Sequence, residues 1–321
     1  MLGSCRKVAV MAWALLALAP QVRADILSEN GLSDAANFAV LYTGGGGNTF
    51  NTNSTNITGN IGIAGTGKYA ATGPGTITGI VEFAAASSGQ FSSSNTTYVP
   101  SLSPGVNPTY NNGNVQTDIN NLNTLSTTYA GESGFGLGNL TATTTINASA
   151  GTLHGSDRVF TVGSVNLNNS TTLTINGNGT TPGTSQNVVL NITGNNPNFN
   201  GTILLTGGLT SDQVLINVTG TNSTLTISAN GATSTGIFLD PNGPITVNHA
   251  VVNGRLFGGD SHNMQVVSGV TLNGPSHLQT QQAVPEPNSA VVAALVGLTA
   301  LGGAAVRTLR RRSRCAQPST A

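Results

Sequence analysis

Several stretches of this chain have residue types and spacings that could do chemistry. Gly62-Ile63-Ala64-Gly65-Thr66-Gly67-Lys68-Tyr69 has the glycine and lysine spacing of a phosphate-binding loop. Tyr69 stands where a serine or threonine would hold magnesium, and Ala70 to Pro74 does not read as the helix that must follow. Nucleotide binding is therefore not expected. The histidines are His154, His249, His262 and His277. His262 with Asp260, and His249 nearby in sequence, hint at a metal site, but no pair has the i, i+4 spacing of a zinc protease. They read as turn residues, and no metal or cofactor is expected.

Sugar-cleaving enzymes need paired or clustered carboxylates. Here the acids are single and far apart along the chain. Asp157-Arg158 and Asp212 read as turn or ion-pair residues. Carboxylates brought together across turns of a repeat would still allow a polysaccharide hydrolase or lyase.

Threonine rows are the remaining signal: Thr76-x-Thr78, Thr143-x-Thr145, Thr172-x-Thr174 and Thr224-x-Thr226. Alternation in a strand places the threonines on one side and apolar residues on the other. Stacked on a flat face, Thr143, Thr145, Thr172, Thr174, Thr224 and Thr226 would order water and bind ice. β-Propensity on a solvated face explains the same pattern without a ligand.

The elements that must position these residues are short strands. Apolar cores recur every 8 to 15 residues from Thr145-Ile146 to Val266-Val267, separated by Gly, Asn and Pro turns. Few aromatics and many Asn-Gly corners favour stacked short strands over a sandwich. Ser87 to Asn114 reads as loop. Val115, Ile119, Leu122, Leu125 and Tyr129 form one apolar helical stripe, so a helix is expected over about 114–130, capped by Asn114 and Gly131. Its Asn- and Thr-rich outer face makes it marginal alone, so it must pack on the strands. The expected fold is an all-β, right-handed, irregular β-helix with one flanking α-helix.

The ends differ from this body. Arg6 and Lys7, the apolar run Val8 to Pro20 and Val22-Arg23-Ala24 form a secretory signal peptide over 1–24. The exported body, 25–283, has ten acidic and three basic residues, a net charge of −7, which argues against nucleic acid as a partner. Cys5 and Cys315 both lie outside it, so it has no internal disulfide. In the C-terminal segment 284–314, Pro285, Glu286 and Pro287 precede an uncharged apolar run and the basic cluster Arg307, Arg310, Arg311, Arg312 and Arg314. A helix over 289–306 would be about 27 Å long, enough to cross a bilayer with the arginines in the cytoplasm.

Val284-Pro285-Glu286-Pro287 through Arg314 closely resembles the PEP-CTERM sorting signal of exopolysaccharide-producing Gram-negative bacteria. The resemblance implies recognition of Pro285, Glu286 and Pro287 by an exosortase, removal of the membrane helix, and delivery from the inner membrane to the cell surface or matrix. Ala35-Ala36-Asn37-Phe38-Ala39-Val40-Leu41, and the order of early strands, one helix, then strands, resemble ice-binding-protein-like β-solenoid domains. Val214 to Val218, Gly236 to Gly243 and Val252 to Gly259 look more like choice-of-anchor A surface domains. Together these imply a non-catalytic surface or matrix protein that meets extracellular polysaccharide through hydroxyls and amides on a flat face. The alternatives are an ice-binding surface protein and a β-helix polysaccharide hydrolase or lyase.

Overall fold

A computed structural model describes residues 25–85, 90–228, 231–259 and 262–274. The chain separates into two units, 1–277 and 278–321, and every described residue belongs to the first. The signal peptide, the Pro-Glu-Pro segment, the 289–306 helix and the arginine cluster lie outside the described residues.

The body is a β-solenoid of mostly parallel strands. Three ladders run along it, and each turn of the chain visits them in order. The helix face stacks the strands Phe135–Leu140, Asp157–Leu167, Val188–Ile192, Val214–Val218, Thr233–Asp240, Val251–Gly258, Phe38–Tyr42, Asn60–Ile63 and Val81–Phe83. Spatial order departs from chain order at one joint, where Val40 pairs with Leu256 and Leu41 with Phe257. The N-terminal half starts in the middle and winds to one end. The long helix then carries the chain back along the side. The C-terminal half winds inward from the far end until it meets the first strand.

The strand sequences explain the layering. On the helix face FAVLY, VVLNI and VLINV are buried at every position, because one side faces the solenoid interior and the other lies under helices. On the other two faces burial alternates, as in TLTIN and ITVN, so only inward residues are apolar. Two hydrophobic clusters result, one filling the interior and one between the helix face and its cover. The interior is lined at one end by a run of rings, Tyr42, Phe50, Tyr69 and Phe91, with centroids 5.3 to 6.2 Å apart.

Two helices form the cover: α1, Ile26–Glu29, and α2, Gly113–Ala130. The whole expected stripe of α2 is buried. The N-cap is Asn112 and not Asn114: the Asn112 side chain accepts from the Asn114 amide at 3.1 Å. α2 rises about 27 Å, enough to cross five or six strands at about 4.8 Å each. At its C-terminal end Ser126 Oγ donates to Asn217 Oδ1 at 2.6 Å, while Asn217 Nδ2 donates to the Ser126 carbonyl at 3.1 Å and to Asn191 Oδ1 at 2.9 Å. The expected loop over 87–114 is corrected in part, since Phe91–Ser93 and Thr96–Val99 are strands of the last N-terminal turn. Their Ser- and Thr-rich sequence hid them, because each contributes few inward apolar residues.

Candidate functional surface

Among the described residues, no helix lies over the threonine face. Its long block comes from the first halves of Thr233–Asp240 and Val251–Gly258, then Thr271–Asn273, Asn56–Thr58, Gly75–Thr78 and Thr96–Val99. Strict register along this block makes two outward columns. One runs Thr233, Val251, Thr271, Asn56, Thr76, Thr97. The other runs Thr235, Asn253, Asn273, Thr58, Thr78, Val99. Between them Val252, Leu272, Ile57, Ile77 and Tyr98 point inward and are buried. Neighbours repeat at about 4.8 Å along a column and the columns stand about 6.7 Å apart.

A second block of three strands, Thr144–Asn147, Thr172–Asn176 and Thr202–Thr206, continues this side of the solenoid. Thr145 pairs with Thr174, which pairs with Leu204. Thr143 Oγ1 accepts from the Thr172 amide at 3.2 Å, and Thr172 pairs with Thr202. Leu204 is 47% exposed and interrupts its column.

Thr224 and Thr226 fall elsewhere. Thr226 pairs with Asn198 and Thr246 on the third face, whose outward column continues through Gln265, Asn51, Ala70 and Ser92. Side-chain length varies along that column, so the surface is less even. The corner between the third face and the threonine face is turned by left-handed residues in successive strands: Gly231, His249, Ser268, Ser54, Gly73 and Asn95.

The phosphate-loop lookalike is a strand, a corner and a strand, with no helix behind it. His154 Nδ1 lies 2.5 Å from Glu132, and the His262 carbonyl accepts from Tyr42 Oη. Asp260 and His277 lie outside the described residues. Asp212 pairs with Arg255, whose side chain is buried. Asp157 is buried and accepts hydrogen bonds from Tyr129 Oη and from Asn187 Nδ2. Burial, reinforced by that carboxylate, holds the Tyr129 phenol far above the usual tyrosine range.

One grouping has no counterpart in the sequence reading. Asp34, Glu82 and Asp118 line a single cavity of about 320 Å³ with Asn37, Phe38, Asn60, Asn112 and Asn114. Asp118 is 4% exposed, and its Oδ2 has no hydrogen-bond partner. Burial and the nearby Asp34 and Glu82 carboxylates raise its pKa to about 6. The signal was present in the helix, for Asp118 lies three residues after Val115 and one before Ile119, inside the buried stripe.

The fold and these surfaces define a helix-flanked parallel β-solenoid. It is similar to the crystal structure of an ice-binding protein from an Antarctic bacterium of the Flavobacteriaceae, at 21% identity and a TM-score of 0.50, over 75% of this chain and 46% of that one. An ice-binding protein from the Antarctic ascomycete Antarctomyces psychrotrophicus aligns at 15% identity and a TM-score of 0.46, over 75% and 96% of the two chains. One from an Arctic yeast aligns at 20% and 0.45, over 75% and 92%. At these identities the likeness concerns the fold alone. No family model and no curated protein matches the sequence.

Proposed function

We propose that the body is a non-catalytic surface-binding module whose ligand is an ordered, periodic array, with ice as the first candidate. The observation that carries this reading is the register of the threonine face: two outward columns of short side chains, six strands long and Thr or Asn at every position but Val251 and Val99, over a buried apolar layer. A rigid ladder fixes hydroxyl and amide groups at constant spacing, which lowers the entropy cost of binding. Such a lattice suits a lattice of water oxygens better than a flexible polymer. A protein of the same fold has been solved as an ice-binding protein, which makes ice the surface to test first. The test is thermal hysteresis and crystal shaping by the purified protein. Ordinary round crystals and no freezing-point gap would end this reading.

We further propose, from the tail sequence, that the body reaches its place by export and sorting. The 1–24 segment directs secretion. An exosortase-type enzyme recognises Pro285, Glu286 and Pro287, with Arg307, Arg310, Arg311, Arg312 and Arg314 kept in the cytoplasm and 289–306 in the bilayer. The product is delivered to the cell surface or to a polysaccharide matrix. Cell fractionation with intact mass measurement, comparing wild type with Glu286→Ala, tests this: a change in mass and location is expected only for the wild type.

A further inference from the structure

His154 sits at the far end of the solenoid, where the C-terminal half begins. The strand Asp157–Leu167 pairs on its inner side with Val188–Ile192. Its outer edge is covered by two pieces of chain laid end to end. Thr152–His154 runs antiparallel to it, with Thr152 beside Val159 and His154 beside Asp157. Phe135–Leu140 takes over at the next residue and runs parallel, from Phe135 beside Phe160 to Leu140 beside Val165. Burial anchors neither piece well, since Leu140 is the one buried residue in the two. Phe135 and Leu153 are both about half exposed.

One side chain ties the two pieces together. His154 ends the antiparallel piece, while Glu132 and Ser133 lead into the parallel one. His154 Nδ1 lies 2.5 Å from Glu132 Oε2, and Nε2 lies 3.1 Å from the Ser133 carbonyl oxygen. Both neighbours are acceptors: a carbonyl oxygen never donates, and an ionised carboxylate has no proton to give. A neutral imidazole has a single N–H, so only the imidazolium donates to both. Carboxylic acids are stronger than imidazolium, so the proton between the ring and Glu132 belongs to the ring.

The other charged and titratable groups around this corner have partners of their own. Asp157, beside His154 across the hairpin, accepts from Tyr129 Oη and from Asn187 Nδ2. Glu29, at the end of α1, accepts from Ser156 Oγ at 2.7 Å and from Asn187 Nδ2 at 2.7 Å. Arg158 donates to Gln186 Oε1 at 2.7 Å and to the Gly151 carbonyl at 3.2 Å. Of these acids, Glu132 is the one that pairs with the ring.

We propose that His154 is a pH-sensitive clasp on the end of the solenoid: as an imidazolium it fastens Thr152–His154 to the turn that opens Phe135–Leu140, and on losing a proton it lets both pieces lift from the edge of Asp157–Leu167. Imidazole is the side chain whose charge ordinarily changes between pH 5 and 8. Loss of either ring proton sets a nitrogen lone pair against an acceptor oxygen. The clasp is therefore made on the acid side of neutrality and loosened on the alkaline side. What it uncovers is a row of backbone N–H and C=O groups, the kind of edge on which another strand can pair. The ring and Glu132 are partly exposed, at 28% and 35%. The effect is accordingly that of a partly screened pair, about two- to fivefold in the opening equilibrium.

The test is amide hydrogen exchange by NMR on the intact body at pH 6 and pH 8, corrected for the intrinsic pH dependence of exchange. Protection over Thr152–His154 and Phe135–Leu140 should fall about two- to fivefold at the higher pH. Protection over Val214–Val218, in the middle of the helix face, should stay constant. In His154→Gln, which carries no charge at either pH, the end strands should exchange alike at both. Ring nitrogen shifts of wild-type His154 at pH 6 should show both nitrogens protonated. The proposal is overturned by equal wild-type protection at the two pH values, by a His154→Gln variant that keeps the wild-type change, or by a ring with one proton at pH 6.

Discussion

The phenol of Tyr42 donates a 2.7 Å hydrogen bond to the carbonyl of His262, 220 residues further on. It ties the first strand to the last full turn at the joint where the two halves of the solenoid meet. Tyr42→Phe deletes that donor while keeping the ring in the aromatic run. A loss of about 1 kcal/mol in denaturant unfolding is expected. No loss would show that strand pairing alone holds the joint.

Arg255 and Asp212 form a second tie. The Arg255 side chain is 4% exposed and Asp212 is 38% exposed. Arg255 Nη2 also donates to the Ala36 carbonyl at 2.9 Å, so the guanidinium reaches from the C-terminal half to the N-terminal one. Asp212→Ala strands a buried cation and should cost on the order of 2–3 kcal/mol, below a fully buried pair because water screens the exposed carboxylate. Equal stability by urea titration would argue that the carbonyl contact suffices.

Gly254 turns the corner from the threonine face to the helix face at φ +148, and an added Cβ would lie 1.9 Å from the Gly236 carbonyl oxygen. Gly254→Ala must push two stacked backbones apart and should cost more than about 3 kcal/mol. Gly113→Ala, at the first position of α2 with open space around it, should be neutral or slightly stabilising. Comparing soluble yield and Tm of the two variants checks the corner directly.

Asp118 gives a pH signature. Its pKa rises from 3.8 to about 6 on folding, so the folded state holds the proton more tightly. Its contribution is fully present below about pH 4 and disappears as pH climbs through about 6, by at most about 3 kcal/mol. Wild type should therefore lose more Tm than Asp118→Asn between pH 4 and 7. Parallel curves would show that the carboxyl group titrates normally.

Face specificity follows from the registers. Thr78→Tyr puts a bulky ring into the threonine columns, whereas Thr226→Tyr puts one on the third face. The first should abolish most thermal hysteresis and the second should leave it near wild type, with both proteins equally stable. The reverse pattern would move the binding surface to the third face.

Much of this body is legible in its residues. Alternation in Leu173-Thr174-Ile175 and Ile245-Thr246-Val247 marks strands with one dry side. The unbroken apolar run of Val214-Leu215-Ile216 marks one that is dry on both, and the spacing from Val115 to Tyr129 marks the helix that dries it. The threonine face was legible only in part. Thr143, Thr145, Thr172 and Thr174 share a side, but Thr224 and Thr226 turn to another, because irregular turn lengths change which ladder a strand joins. A local pattern carries strand identity and side, but no ladder number.

The sequence by itself determined the strand-rich architecture, the helix and its buried stripe, and the acidic, cysteine-free composition of the body, since these depend on neighbours a few positions apart. Tertiary structure alone decided that Leu41 lies beside Phe257, that Asn273 continues into Thr58 and Thr78, and that Asp34, Glu82 and Asp118 share one cavity. Those contacts join residues far apart along the chain. The pairings of Leu41 with Phe257 and of Asn273 with Thr58 exist only because α2 returns the chain to the far end, so that its second half closes against its first.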